Sequence, residues 1–115
     1  MMNEKTKETL LILQEECAEV IQAASKVFRF GEESRWPTED SASTHECLAM
    51  EVGQVLAMID ILIESGYLSD ADVNAARIHK KEKLKIWSSI YADLRTYCTI
   101  KIDLDLGAKA FHSPK

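Results

Sequence analysis

The segment Glu15-Glu16-Cys17-Ala18-Glu19 concentrates three carboxylates within five residues. On an α-helix, spacings of three and four place such groups on neighbouring turns of one face, where like charges repel. A divalent cation would reverse that repulsion, so the cluster reads either as a solvated acidic face or as part of a metal site. Glu51 favours the second reading, because at roughly 100° per residue it shares a helix face with Cys47, Val55, Met58 and Leu62. A carboxylate among apolar side chains must be protonated, paired with a base, or bound to a metal, since an unpaired buried charge is costly. Gln54, one turn on, points within about 60° of Glu51 and offers a carbonyl oxygen. Asp60 falls nearly opposite, in a stripe with Gly53, Ala57 and Glu64, and reads as solvated.

A second charged run is basic. Residues 77 to 85, Arg-Ile-His-Lys-Lys-Glu-Lys-Leu-Lys, hold five bases and one acid. Most such runs are solvated faces, but Lys80 falls within the apolar arc of Val73, Ala76, Leu84 and Trp87, with Lys83 and Arg77 flanking it. An ammonium there would seek a carboxylate or a phosphate. An acidic metal site together with a basic helix suits a polyphosphate, whose oxygens the cation bridges while lysines balance the remaining charge.

Helices must position these groups. From about Thr6 to Phe30 the apolar residues Leu10, Leu13, Cys17, Val20, Ile21, Ala24, Val27 and Phe28 fall in one arc, with Glu15, Glu19, Gln22 and Lys26 opposite and Glu16 at the border. Gly31 is a natural C-terminal stop. The polar stretch 31–43, with Trp36 and Pro37, reads as a connecting loop that could serve as a lid. Ser43 and Glu46 form a capping-box pattern that launches a second helix to about Ser65-Gly66, apolar on most of its circumference and therefore central. Ser69 and Asp72 start a third, running from Asp70 to at least Trp87 and extendable to Leu94. Ile100, Ile102, Leu104 and Leu106 alternate with Lys101, Asp103 and Asp105, the period of a half-buried strand.

The chain has 115 residues, a net charge of −5 and 46% hydrophobic residues, enough for one packed domain. Residues 1–64 carry a net −8 and residues 65–115 a net +3. The overall acidity argues against binding duplex nucleic acid. Cys17, Cys47 and Cys98 form no close pair, which fits a reducing cytoplasm, and neither a signal core nor a membrane span is evident. The expectation is an all-α antiparallel helical bundle over residues 1–95, completed by oligomerisation, with a C-terminal extension over 96–115 that forms either an extended arm or a short β-strand.

Glu15-Glu16-x-x-Glu19, Glu51-x-x-Gln54 and a Lys-rich third helix ending Lys83-Leu84-Lys85-Ile86-Trp87 together resemble the MazG-like branch of the all-α nucleoside triphosphate pyrophosphohydrolases. The phrase from Gln14 to Lys26, followed by Arg29-Phe30-Gly31, is most similar to small phage and prophage members, and the resemblance covers about residues 8–87. It implies a homodimer or homotetramer that binds Mg²⁺, with Mn²⁺ as a substitute, and cleaves a ribo- or deoxyribonucleoside triphosphate to the monophosphate and pyrophosphate. Carried over by residue, Glu16, Glu19 and Glu51 match the metal-binding acids, and Glu15 matches the accompanying acid, with Glu15 or Glu16 activating water. Gln54 stands where the family motif has Asp. A neutral donor should hold a hard cation less well, so the alternative is a catalytically impaired nucleotide-binding or structural oligomer of the same fold. Lys26, Arg29, Lys80, Lys83 and Trp36 are the candidate substrate-binding residues, with Phe30 and Tyr67 as further stacking surfaces.

Overall fold

The computed structural model describes residues 2–88. They form three helices, α1 (Glu4–Phe30), α2 (Thr44–Glu64) and α3 (Asp70–Trp87). Among the described residues there is no strand, only an isolated antiparallel bridge between Arg35 and Ser43. The fold is all-α, as expected. The strand pattern at 100–106, the boundary at 95/96 and a continuation of α3 to Leu94 lie outside the described residues.

Local chemistry accounts for the helix ends. α1 begins two residues before the expected Thr6, because Asn3 caps it: Asn3 Oδ1 accepts from the Thr6 N–H at 2.8 Å. It stops at Gly31, whose φ of 86° suits a residue without Cβ and whose N–H donates to the Val27 carbonyl at 2.9 Å. The capping box of α2 is complete, with Glu46 N–H donating to Ser43 Oγ at 3.0 Å and Ser43 N–H donating to Glu46 Oε1 at 2.9 Å. In α3, Ser69 Oγ accepts from the Asp72 N–H at 3.1 Å.

Chain order divides the molecule after Tyr67 into two compact units. In the first, α1 and α2 run antiparallel. The start of α2 is tied to the end of α1 by Thr44 N–H to the Ser34 carbonyl at 2.9 Å and His45 N–H to the Glu32 carbonyl at 3.1 Å. Further along, Gln54 has come back to Glu16. Among the described residues Leu62, 1% exposed, is the most deeply buried large side chain, and Ala23 is buried on α1. Along α2, Leu62 is buried, Glu51, Val55 and Met58 are half-buried, and Asp60, Gly53, Ala57 and Glu64 are exposed, so the helical-wheel assignment of Asp60 to solvent holds. On α1 the covered strip sits at the border of the apolar arc: Leu13, Glu16, Val20 and Val27 are half-buried, Thr6 and Thr9 are buried, and Phe28 is 92% exposed.

The second unit, described by itself, contains α3. Here the expected apolar arc is only partly covered: Val73 and Leu84 are half-buried, but Ala76, Lys80 and Trp87 are exposed. Ala75, Ile78 and Lys85 are half-buried instead, and Glu82 is buried. Lys85 pairs with Glu82 one turn away, so neither charge on this face is buried alone. Lys80, placed by the sequence among apolar neighbours, is solvated. No helix among the described residues is long and apolar enough to cross a membrane.

Leu62→Ala should cost about 2–5 kcal/mol in a urea titration, whereas Asp60→Ala, two residues away on the exposed side, should stay within about 0.5 kcal/mol. Ser43→Ala, which removes the cap of α2, should cost about 1 kcal/mol.

Candidate functional site

Antiparallel packing brings α2 back along α1 so that acids 35 residues apart in sequence meet. Glu16, Glu19 and Glu51 each present a carboxylate oxygen, all within 4.8 Å of one another. Glu16 and Glu51 are half-buried and Glu19 is exposed, so the cluster opens to solvent on one side. Gln54 completes it. With its amide nitrogen facing the acids, it donates to Glu16 Oε2 at 2.6 Å and to Glu51 Oε1 at 3.0 Å. Gln54 therefore stands at the cluster as a hydrogen-bond donor to two of its carboxylates, where the sequence reading offered its carbonyl as a ligand.

The electrostatics are those of crowded like charges. The Glu51 carboxyl is pushed above its ordinary value first by a hydrogen bond with Glu19, then by loss of hydration and the charges of Glu19 and Glu16, against a smaller opposing pull from Lys26. Glu16 is raised as well, by loss of hydration and then by the charges of Glu19 and Glu15. Ion pairs among the described residues engage other acids: Glu4 with Lys7, Glu46 with Arg35, and Glu82 with Lys85. Three carboxylate oxygens at this spacing, with an open side, fit a small hard divalent cation that keeps part of its water or takes phosphate oxygens.

Glu19 and Glu51 also form one end of a cavity of about 520 Å³ between α1, α2 and the loop 31–43. Lys26 lines it about two helical turns beyond Glu19, and Phe30, Arg35, Trp36 and Met50 line it further on. The loop owes its position to hydrogen bonds across its base. Arg35 Nη1 donates to the Ser41 carbonyl at 2.7 Å and pairs with Glu46 at 3.1 Å. The Thr44 hydroxyl donates to the Gly31 carbonyl. Arg35 and Glu46 thus join the wall of the cavity to the capping box of α2, and the Glu46 carboxyl is held below its ordinary value by the Ser43 hydrogen bonds and then by Arg35.

The structure brings together Glu16, Glu19, Glu51 and Gln54 and places Lys26 and Trp36 on the adjoining cavity. Glu15 is exposed, one residue off the converging face. Arg29 lies over the Phe30 ring, 4.9 Å from its centroid, and does not line the cavity. Lys80 and Lys83 belong to the second unit. Arg35, Met50 and Cys47 also line the cavity without having been singled out for it. No one-dimensional signal marks them, because their position depends on how the loop folds back onto α2.

In cation-free protein, folded-state pKa values above 4.5 for Glu16 and Glu51 mean that the folded state binds protons more readily than the unfolded chain. Their contribution to stability should rise as pH falls from neutral towards about 4.5. Glu51→Gln should flatten that rise in thermal melts. Glu46 has the opposite sign: its stabilisation is present above 4.5 and is lost as pH falls through its lowered folded-state value. Compared with family models, curated proteins and solved structures, the chain has no match.

Proposed function

We propose that this chain is a MazG-like nucleoside triphosphate pyrophosphohydrolase that converts ribo- or deoxyribonucleoside triphosphates to monophosphates and pyrophosphate in a reducing cytoplasm. One observation carries the reading: Glu16, Glu19 and Glu51 converge at the end of a cavity that also holds Lys26 and Trp36. The acids would hold Mg²⁺, or Mn²⁺ in its place. When bound, the cation polarises the phosphate and neutralises charge on its oxygens.

The chain's own residues supply the rest. Glu15 or Glu16 would accept the proton from the attacking water, Glu16 at the edge of the acid cluster and Glu15 beside it, exposed to solvent. That water attacks the α-phosphorus, the bond to the α–β bridging oxygen breaks, and pyrophosphate leaves. Lys26, the ammonium on the cavity wall, balances phosphate charge. Trp36 offers a ring for the base. Assignment of Arg29, Lys80 and Lys83 to the substrate rests on the sequence resemblance.

A second reading is favoured by Gln54, which is neutral and donates to two of the acids. A chain that holds nucleotide and turns it over poorly, or a structural module, would have this substitution. Gln54→Asp separates them, because an impaired enzyme gains rate or cation affinity and a structural module gains neither.

Oligomerisation is part of the same proposal. Cys17, Val20, Ile21, Val52, Val55 and Leu56 line a second, apolar groove of about 270 Å³ between α1 and α2. Ile21 is 70% exposed and Leu56 54% exposed, and adjoining exposed apolar side chains mark an interaction surface. A homodimer or homotetramer would cover it. Leu56→Glu should lower the sedimentation mass, and an unchanged mass would count against this surface as the contact.

The activity itself predicts pyrophosphate release from a nucleotide panel with Mg²⁺ or Mn²⁺. Glu19→Ala and Glu51→Ala should each reduce it by at least about a hundredfold while leaving the helical circular dichroism intact. No turnover from folded protein with any nucleotide or cation would remove the enzymatic reading.

A further inference from the structure

Between the acid end of the cavity and the loop that carries Trp36 lies a middle stretch. α1 runs along one side of it and presents Glu19, Gln22 and Lys26 in turn, at spacings of three and four that keep them on one face. On α2, which runs the other way, Cys47 lies one turn before Glu51 and therefore level with this stretch, and both Cys47 and Met50 line it with exposed side chains. The charged groups belong with the acids: Glu19 and Glu51 supply the carboxylates, and the Lys26 ammonium is near enough for its charge to act on Glu51. Gln22 differs from both of its neighbours on the face. It is neutral and exposed, no hydrogen bond engages its amide among the described residues, and that amide offers a donor and an acceptor to the cavity.

In a nucleotide the sugar joins phosphate to base. With the phosphates at the acid end and the base at Trp36, the sugar crosses the stretch that Gln22 lines. A sugar hydroxyl both donates and accepts, which an amide can match, whereas the thiol of Cys47 and the thioether of Met50 are weak partners. Resting on the nucleotide reading above, we infer that Gln22 is a specificity-determining residue that hydrogen-bonds the sugar 3′-hydroxyl of the bound nucleoside triphosphate. That hydroxyl is the one ribo- and deoxyribonucleotides share, so a single amide serves both. A site that hydrogen-bonds a substrate hydroxyl rejects the analogue that lacks it, because the partner group is left unpaired. Gln22 is exposed, so its unpaired amide returns to water and the rejection is modest.

The test is calorimetric titration of the full chain, in Mg²⁺, with three α,β-imido triphosphates of thymine: the deoxyribonucleotide, its 2′,3′-dideoxy counterpart and the ribonucleotide. The two that carry a 3′-hydroxyl should bind about three- to tenfold more tightly than the dideoxy analogue. Gln22→Met, of similar length but without the amide, should bring both down to the dideoxy affinity and leave the dideoxy affinity unchanged. Lys26→Met, which removes a charge and not the amide, should weaken all three by the same factor. Equal binding of the deoxy and dideoxy analogues to the native chain, or a gap between them that persists in Gln22→Met, would overturn the inference while leaving the nucleotide reading intact. So would a preference that follows the 2′-hydroxyl and disappears in Gln22→Met, because the amide would then read the other position. Failure of all three analogues to bind folded protein would overturn the nucleotide reading, and this inference with it.

Discussion

Mutual repulsion of three carboxylates is the constraint around which the first unit is arranged. Glu16, Glu19 and Glu51 have oxygens within 4.8 Å of one another, and helix packing alone offers no reason to bring them there. In the cation-free state loss of hydration and the neighbouring charges raise the proton affinity of Glu16 and Glu51, and the Gln54 amide donates to both. Neither device is a lysine or arginine clasp, the usual answer to a buried acid. Among the described residues the ion pairs engage other acids, and the cluster, open on one side and continuous with a cavity, has oxygen donors placed for an external cation.

The helices serve that arrangement through their ends more than through a large core. Asn3, Ser43 and Ser69 each satisfy orphan N–H groups at a helix start, and Gly31 closes α1. The Ser43–Glu46 box has a double role, since Glu46 also receives Arg35. The beginning of α2 and the Trp36-bearing loop are therefore one mechanical piece. Ile21, Leu56 and Phe28 are exposed, apolar surface on the helix pair that the other described residues do not cover.

Much of this was legible in the sequence where the cause is local. The Ser43–Glu46 capping box, the Ser69 cap, the Gly31 stop and the 31–43 loop depend on a few adjacent residues. The faces of Glu51 and Asp60 follow from helical period once α2 is recognised, and the structure has Glu51 half-buried and Asp60 exposed. Three things were not legible. Asn3 was passed over as a cap because the apolar pattern starts later. The covered face of α3 was misjudged because a wheel scores Glu82 and Lys85 as solvated when taken singly, whereas as an i,i+3 pair they can be covered. Arg35 and Met50 reach the cavity only through the return of the loop onto α2, which no periodicity encodes. Gln54 lies between these cases: helical spacing placed it beside Glu51, but the direction of its amide depends on Glu16, a residue of the other helix.

The central claim is that the three acids form a binding site for one hard divalent cation. Anomalous diffraction from crystals grown with Mn²⁺ tests it most directly. The account predicts a single strong peak within coordinating distance of oxygens from Glu16, Glu19 and Glu51. Absence of density at that point under saturating Mn²⁺, with the three side chains turned apart or each joined to its own lysine or arginine, would contradict it.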